Sequence, residues 1–283
     1  MKTDKIRIKI DGNNYEKSDR IKRYILKYLE KFEIVSIVEN PPFDYIFIIG
    51  GDGTFLNSFS KDEFDKNTVF VGINSGSLGY IQDVSNDDLD TLLKKIEKIV
   101  YYITNFKRKS LNLQKAYYLD VVFTTNEKII HKKALNEVII VGDGLKKISF
   151  DLFSNGTTLK SKKNGHKVNS SGICFATPLG STGFSKSNNG PIILEPNITL
   201  IVQTLINPIF NAKYGSFLSN PTISKKYKVV FDECTNVPSI VLDGNNIEIF
   251  NLKKVELSIE SYILKTNCEE KSMEDLLREK LIP

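Results

Sequence analysis

The chain has 283 residues, 41% of them hydrophobic and 26% charged, which is enough apolar content for one large core or two modest ones. Its formal net charge of +5 is spread over Lys-rich segments without a dense basic stripe, so it does not point to nucleic acid, and a small polyanion suits it equally well. Three cysteines with no CxxC pair and two histidines are too few for a disulfide framework or a zinc site, so no metal-ligand set is read from the sequence.

At the N-terminus, Ile6, Ile8 and Ile10 alternate with charged residues as a strand does, where a secretory signal needs a continuous apolar stretch. Ile21, Tyr24, Ile25, Tyr28, Leu29 and Phe32 then recur at helical spacing. A second apolar run, 34–38, precedes Pro41 and Pro42, and 45–49 is wholly apolar, the kind of run buried on both faces of a parallel sheet. It stops at Gly50 and Gly51. Residues 69–73 repeat the pattern and lead into Asn74-Ser75-Gly76; a helix follows, with Asn86 as its cap and Leu89, Leu92, Leu93, Ile96 and Ile99 as its buried stripe. Residues 1–105 therefore read as an α/β domain with an open, Rossmann-like sheet.

From residue 106 the pattern changes. Short strand-like runs at 117–123, 137–141, 148–153, 173–176, 198–202, 228–231, 239–242 and 255–259, punctuated by Gly, Asn, Asp and Pro, describe an all-β C-terminal domain over 106–261. The apolar region 191–210 is broken by Glu195, Pro196, Asn197, Gln203, Asn207 and Pro208 and falls short of a membrane span. Met273, Leu276, Leu277 and Leu281 sit at helical spacing, so a helix within 270–283 is expected to complete the first domain. His131 and His166 read as loop residues, and 160–167 as a solvated basic turn. A reduced, cytoplasmic protein is the expectation.

Gly50-Gly51-Asp52-Gly53-Thr54 carries the first chemistry. Glycines after a buried strand permit a sharp turn and close approach to a ligand, and a helix beginning near Thr54 aims free N–H groups at an anion. Asp52 is the odd member: a carboxylate in an anion cradle repels its ligand unless it holds a cation or accepts a proton from an attacking hydroxyl, which argues for a reaction. No Lys-Ser or Lys-Thr follows, so this is not a Walker P-loop, and GxGxxG spacing is missing too. The plainer reading, a glycine-rich turn, suits the second copy, Gly142-Asp143-Gly144, which lies between two strand-like runs and reads as a hairpin turn.

Asn136 and Glu137 stand at the entry to a strand, before side chains settle into strict alternation. Such a pair suits the hydroxyls of a ribose; a polar strand end facing water fits the dipeptide equally well. Thr177-Pro178-Leu179-Gly180-Ser181-Thr182-Gly183-Phe184 crowds hydroxyls, glycines and an aromatic into one turn after an apolar strand, which suits a nucleoside.

The stretch Ile49 to Leu56 resembles the signature shared by NAD kinases, the diacylglycerol and sphingosine lipid kinases and, more distantly, phosphofructokinases; by itself it selects phosphoryl transfer to a hydroxyl. With the Asn-Glu pair and the Thr-Pro-x-Gly-Ser-Thr block in this order, the chain resembles the NAD kinase family and not the lipid kinases. Gly72-Ile73-Asn74-Ser75-Gly76-Ser77-Leu78-Gly79-Tyr80 is similar to the family's segment for the adenine side of the pocket, and the resemblance runs from about Tyr45 to Asp243-Gly244.

The resemblance implies a two-domain NAD kinase-like architecture, in which the β-rich domain forms the dinucleotide pocket. It implies phosphorylation of the adenosine 2′-hydroxyl of NAD to give NADP, ATP or polyphosphate as donor, Mg²⁺ as cofactor, and a homodimer or homotetramer. Asp52 takes the role of the base or of the group orienting the ribose hydroxyl, with Gly51, Gly53, Thr54 and Phe55 around the phosphates. Asn74 and Tyr80 fall on the adenine side, Asn136 and Glu137 on ribose and phosphate oxygens, and Thr177, Thr182, Gly183, Phe184 and Ser187 on the adenosine pocket. Departures are Ser171-Gly172 where the family commonly has Asp-Gly, Phe184 for the usual Tyr, Leu179 at a position often polar, and Tyr80 for Phe. The alternatives are a lipid kinase of the same lineage, which the lack of a membrane-binding basic helix weakens, and a catalytically weakened nucleotide-binding protein, against which the retained Asp52 counts.

Overall fold

The computed structural model describes residues 5–61, 63–76, 79, 81–82, 84, 88–106, 111–159, 167–209, 220–231 and 239–266. They divide into two units, one taking the described residues up to Ala116 together with a strand beginning at Tyr262, the other spanning Tyr117–Ser261. The first contains β1 (Ile6–Gly12), α1 (Glu16–Leu29), β2 (Val35–Ile37), β3 (Tyr45–Gly50), α2 (Asp52–Lys61), β4 (Val69–Asn74), α3 (Leu89–Phe106) and β5 (Leu113–Tyr117). The second contains β6 (Leu119–Thr125), β7 (Ile129–Ala134), β8 (Glu137–Val141), β9 (Ile148–Ser154), β10 (Thr157–Thr158), β11 (Val168–Ala176), α4 (Phe184–Ser187), β12 (Ile201–Pro208), β13 (Thr222–Ser224), β14 (Lys226–Phe231), β15 (Ser239–Leu242), β16 (Asn245–Ile247) and β17 (Leu252–Ser258). β18 (Tyr262–Thr266) then returns to the first unit.

In the first unit the strand order is β2-β1-β3-β4-β18-β5, with β1 parallel to β2 and β3, and β4 parallel to β3 and β18. Every residue of β3 and β4 is buried, because helices cover both faces of the sheet. Phe47, Ile49, Val71 and Ile73 pack with Ile21 and Ile25 of α1 and with Leu92, Ile96 and Ile103 of α3. On the alternate face Phe70 meets Phe55 of α2, their ring centroids 5.8 Å apart.

Asn86 lies outside the described residues. The carboxylate of Asp88 caps α3, accepting the N–H groups of Asp90 and Thr91 at 3.0 and 3.1 Å. The division falls at Ala116, later than residue 105, because β5 joins the first sheet beside β18. A strand also returns there after Ser261, Leu264 lying opposite Val69 and Lys265 opposite Phe70. The helix expected within 270–283 lies outside the described residues, as do His166 and most of the basic stretch 160–167.

The second unit is an antiparallel sheet of order β16-β15-β8-β11-β9-β14-β17-β6-β7, with β10 on β9, β12 on β11 and β13 on β12. Alternation buries one face, where Phe123, Ile140, Phe150, Phe175, Ile201, Val229 and Val255 share one core. β7 is a strand with three of its six residues exposed, and His131 lies on it and not in a loop. The run expected at 198–202 pairs only from Ile201 onward. Gly142-Asp143-Gly144 is not a hairpin turn. Residues 137–141 and 148–150 lie end to end along the same edge of β11, opposite 172–176 and 168–170 respectively, while β12 occupies the other edge. The GDG segment is a 3₁₀ break in that line, with φ of 57° at Gly144 and 60° at Leu145. Among the described residues no helix is long and apolar enough to cross a membrane.

Candidate active site

β3 ends at Gly50 and α2 begins at Asp52, so the GGDGT motif is a strand-to-helix turn. Thr54 and Phe55 return their N–H groups to the Gly51 carbonyl at 3.0 and 3.2 Å, which starts the helix two residues before the expected Thr54. Asp52 therefore lies in the first turn, where the helix dipole favours negative charge and the leading N–H groups have no partner within the helix. None of Gly50, Gly51 and Gly53 has positive φ, so the glycines serve space and not an unusual backbone. A Cβ on Gly50 would stand 2.3 Å from the Thr54 hydroxyl, whereas one on Gly51 or Gly53 would meet nothing within 4 Å. The open side of the turn is therefore at Gly51 and Gly53.

Chain beyond β4 closes on this turn. The Ile81 N–H donates to Oδ1 of Asp52 at 3.0 Å, and Nε2 of Gln82 donates to the Gly51 carbonyl at 2.9 Å. A Cβ on Gly79 would stand 3.1 Å from Asp52 Oδ1 and 3.3 Å from Asn74 Nδ2, so any side chain there would press both polar groups aside by a few tenths of an ångström. Asn74, buried at the end of β4, accepts the Gly76 N–H on Oδ1 at 2.9 Å. Asn13 reaches the Thr54 hydroxyl at 3.3 Å. Gly51, Asp52, Gly53 and Thr54 form the turn, and Asn74 ends the neighbouring strand, opposite Gly50. Tyr80 lies outside the described residues. Phe55 is corrected: it is wholly buried against Phe70, anchoring α2 and offering no surface to a ligand.

In the second unit Leu135 and Asn136 form the turn between β7 and β8, and Glu137 is the first residue of β8. Thr177 braces this turn: its hydroxyl donates to the Leu135 carbonyl at 2.7 Å and accepts the Gly180 N–H at 3.0 Å, while its own N–H donates to the Asn136 carbonyl at 2.8 Å. With no exposed surface, Thr177 is a support behind the site and not part of its lining. Gly183 abuts Glu137, since a Cβ there would lie 3.2 Å from Oε2. Thr182 is half-buried, and Phe184 and Ser187 are exposed on the adjoining turn and α4.

Asn136 Oδ1 and Glu137 Oε2 are both buried without a hydrogen-bond partner among the described residues. Leaving two such acceptors unpaired is costly, and donors on a bound molecule would relieve the cost. Burial, and next the charge of Asp243, push the Glu137 carboxyl up to about 7. Asp243, which sequence reasoning left without a role, accepts the N–H groups of Leu135, Asn136 and Glu137. Burial raises its pKa, opposed by those three bonds.

Gly180 packs directly on the Asn136 main chain, where a Cβ would lie 2.1 Å from the carbonyl oxygen. Gly180→Ala is expected to destabilise the fold by at least about 1–3 kcal/mol, because rigid backbone has to yield. A urea midpoint equal to that of the unsubstituted protein would contradict this packing.

Comparison with known proteins fits this geometry. The sequence model of the ATP-NAD kinase C-terminal domain matches residues 134–258, a span that takes in the Asn-Glu pair, the Thr177 turn and Asp243. Yeast NADH kinase complexed with NADH superposes with a TM-score of 0.75 at 17% identity, covering 99% of this chain and 88% of that one. An NAD kinase from Archaeoglobus fulgidus in complex with ATP gives 0.66 at 20% identity, covering 93% and 94%. At these identities the two structures speak for the fold alone. The NAD kinase of Fusobacterium nucleatum is 32% identical over 280 residues, 95% of this chain and 94% of that protein. A relationship of that strength over nearly the full length of both sequences shows that the chain belongs to the NAD kinase family.

Proposed function

We propose that this chain transfers the γ-phosphoryl group of ATP to the 2′-hydroxyl of the adenosine ribose of NAD, giving NADP, and that Asp52 is its catalytic residue. As a member of the family it is a phosphotransferase with an alcohol group as acceptor. The observation that carries the reading is the Asp52 carboxylate, held by the Ile81 N–H at a strand-to-helix turn whose open side is at Gly51 and Gly53.

In the step proposed, the ribose oxygen bonds to the γ-phosphorus as the bond to the bridging oxygen of ADP breaks, and the hydroxyl proton is drawn off or oriented by Asp52. Gly51, Gly53 and Thr54 flank the phosphates, and Asn74 lies on the adenine side. In the β-rich unit, which we take to form the dinucleotide pocket, Asn136 Oδ1 and Glu137 Oε2 accept the ribose hydroxyls, and Thr182, Gly183, Phe184 and Ser187 line the nucleoside. Among the described residues no group of three or more His, Cys, Asp or Glu could hold a metal ion. Mg²⁺ would arrive with the donor phosphates and neutralise their charge.

The Archaeoglobus structure is a complex with ATP and the yeast structure a complex with NADH, so ATP as donor and NADH as a second acceptor belong among the compounds tested. We further propose a cytoplasmic homodimer or homotetramer, the state that the family resemblance implies. The lipid-kinase alternative finds no support among the relatives, which are NAD kinases.

Incubating the purified protein with Mg²⁺ and NAD or NADH, and with ATP or polyphosphate as donor, tests the reading; NADP or NADPH is expected to form. Dinucleotide binding without phosphorylated product from either donor would overturn it in favour of a catalytically weakened binding protein.

A further inference from the structure

Asp243 and Gly244 form the tight turn between β15 and β16, with φ of 47° and 80°. Two successive positive φ values are what a two-residue hairpin turn requires, and Asp-Gly supplies them cheaply. Most residues at such a turn face solvent. Asp243 is instead 7% exposed, and its carboxylate takes three consecutive main-chain N–H groups: Leu135 on Oδ2 at 2.7 Å, and Asn136 and Glu137 on Oδ1 at 2.8 and 3.1 Å. In return its own N–H donates to the Glu137 carbonyl at 3.1 Å. Hydrogen bonds to an ionised acceptor are the strong ones, so this is a firm tie between segments 106 to 108 residues apart.

The segment so tied carries the two buried acceptors that lack partners, Asn136 Oδ1 and Glu137 Oε2. We propose that Asp243 is a positioning residue for the dinucleotide, fixing the main chain from which Asn136 and Glu137 present those oxygens. The proposal rests on the reading that this pair meets the dinucleotide.

Its second consequence is electrostatic. Among the described residues the charge that acts on Glu137 is the Asp243 carboxylate, from the β15–β16 turn; Glu137 in turn acts on the buried Cys174 thiol of β11, and the adjoining Gly183 adds no charge. Burial first, and then the charge of Asp243, hold the Glu137 carboxyl at about 7, so Asp243 contributes both to its place and to its proton.

Asp243→Asn separates these roles from simple support. The single remaining oxygen can serve Asn136 and Glu137, but the new NH₂ group faces the Leu135 N–H. The expected result by calorimetry, well below the melting temperature, is NAD affinity weaker by about tenfold or more, with kcat at saturating NAD changed far less. The pH dependence of affinity should have a midpoint near 7 in the unsubstituted protein, shifted towards acid in Asp243→Asn and lost in Glu137→Gln. Asp243→Glu keeps the charge and displaces the oxygens, so it should weaken binding while leaving the midpoint near neutral; it also stands in should Asp243→Asn not fold. Unchanged affinity and an unchanged midpoint in whichever variant folds would overturn the proposal. Because the readout is binding, failure to make NADP would count against the proposed activity and not against this role.

Discussion

Asp52→Asn is expected to lower kcat by roughly two to four powers of ten, the range for losing a general base, while NAD affinity stays close to that of the unsubstituted protein. That corresponds to about 3–5 kcal/mol of lost transition-state stabilisation. The substitution is informative because Asn keeps an oxygen at Oδ1 to accept the Ile81 N–H, so the turn can persist while the charge and the proton acceptor are removed. The Gln82 bond to the Gly51 carbonyl is likewise untouched. Initial rates of NADP formation, with binding measured separately, distinguish chemistry from affinity. Turnover within a few-fold of normal would remove Asp52 from the reaction.

Glu137→Gln should act in opposite directions on stability and on binding. A carboxyl at about 7 in the folded protein, against an ordinary 4.5, keeps its proton while the unfolded chain loses one. Between those values the native state binds more protons than the unfolded state, so stability falls as pH rises through the interval and stays low above 7. Glutamine is uncharged throughout, and the variant should therefore be more stable than the unsubstituted protein by about 3 kcal/mol at pH 8, with little difference at pH 4. Urea denaturation at the two pH values reads this directly. Equal stability at pH 8 would mean that Glu137 is not held protonated by its surroundings. NAD affinity should fall in the same variant, since the amide cannot supply the same pair of acceptor oxygens.

The separation between what could be read early and what could not follows the distance over which each feature acts. The apolar runs that become β3 and β4, the helical stripes of α1 and α3, and the β-rich composition after residue 106 are local patterns, so the two-unit architecture was legible in the chain alone. So were the GGDGT turn, the Asn-Glu pair and the Thr177 block, because each is contiguous and its residue types limit the chemistry it can do.

Features that join remote segments were not legible. Nothing local to Tyr262–Thr266 says that it will lie beside β4, and nothing in Gly142-Asp143-Gly144 says that its flanking strands share an edge of β11 and not each other. Phe55 adjoins Asp52-Gly53-Thr54 in sequence, but the helix rotates it onto Phe70 and into the core. Ile81 and Gln82 reach Asp52 and Gly51 across 29 and 31 residues, and Asp243 reaches Leu135 across 108. Residue type and spacing therefore determined by themselves the main strands and helices of both units and which side chains have the chemistry for phosphoryl transfer. Sheet register and packing decided how those side chains are held and which of them keeps its proton, because hydrogen bonds and burial depend on neighbours that only the folded chain brings together.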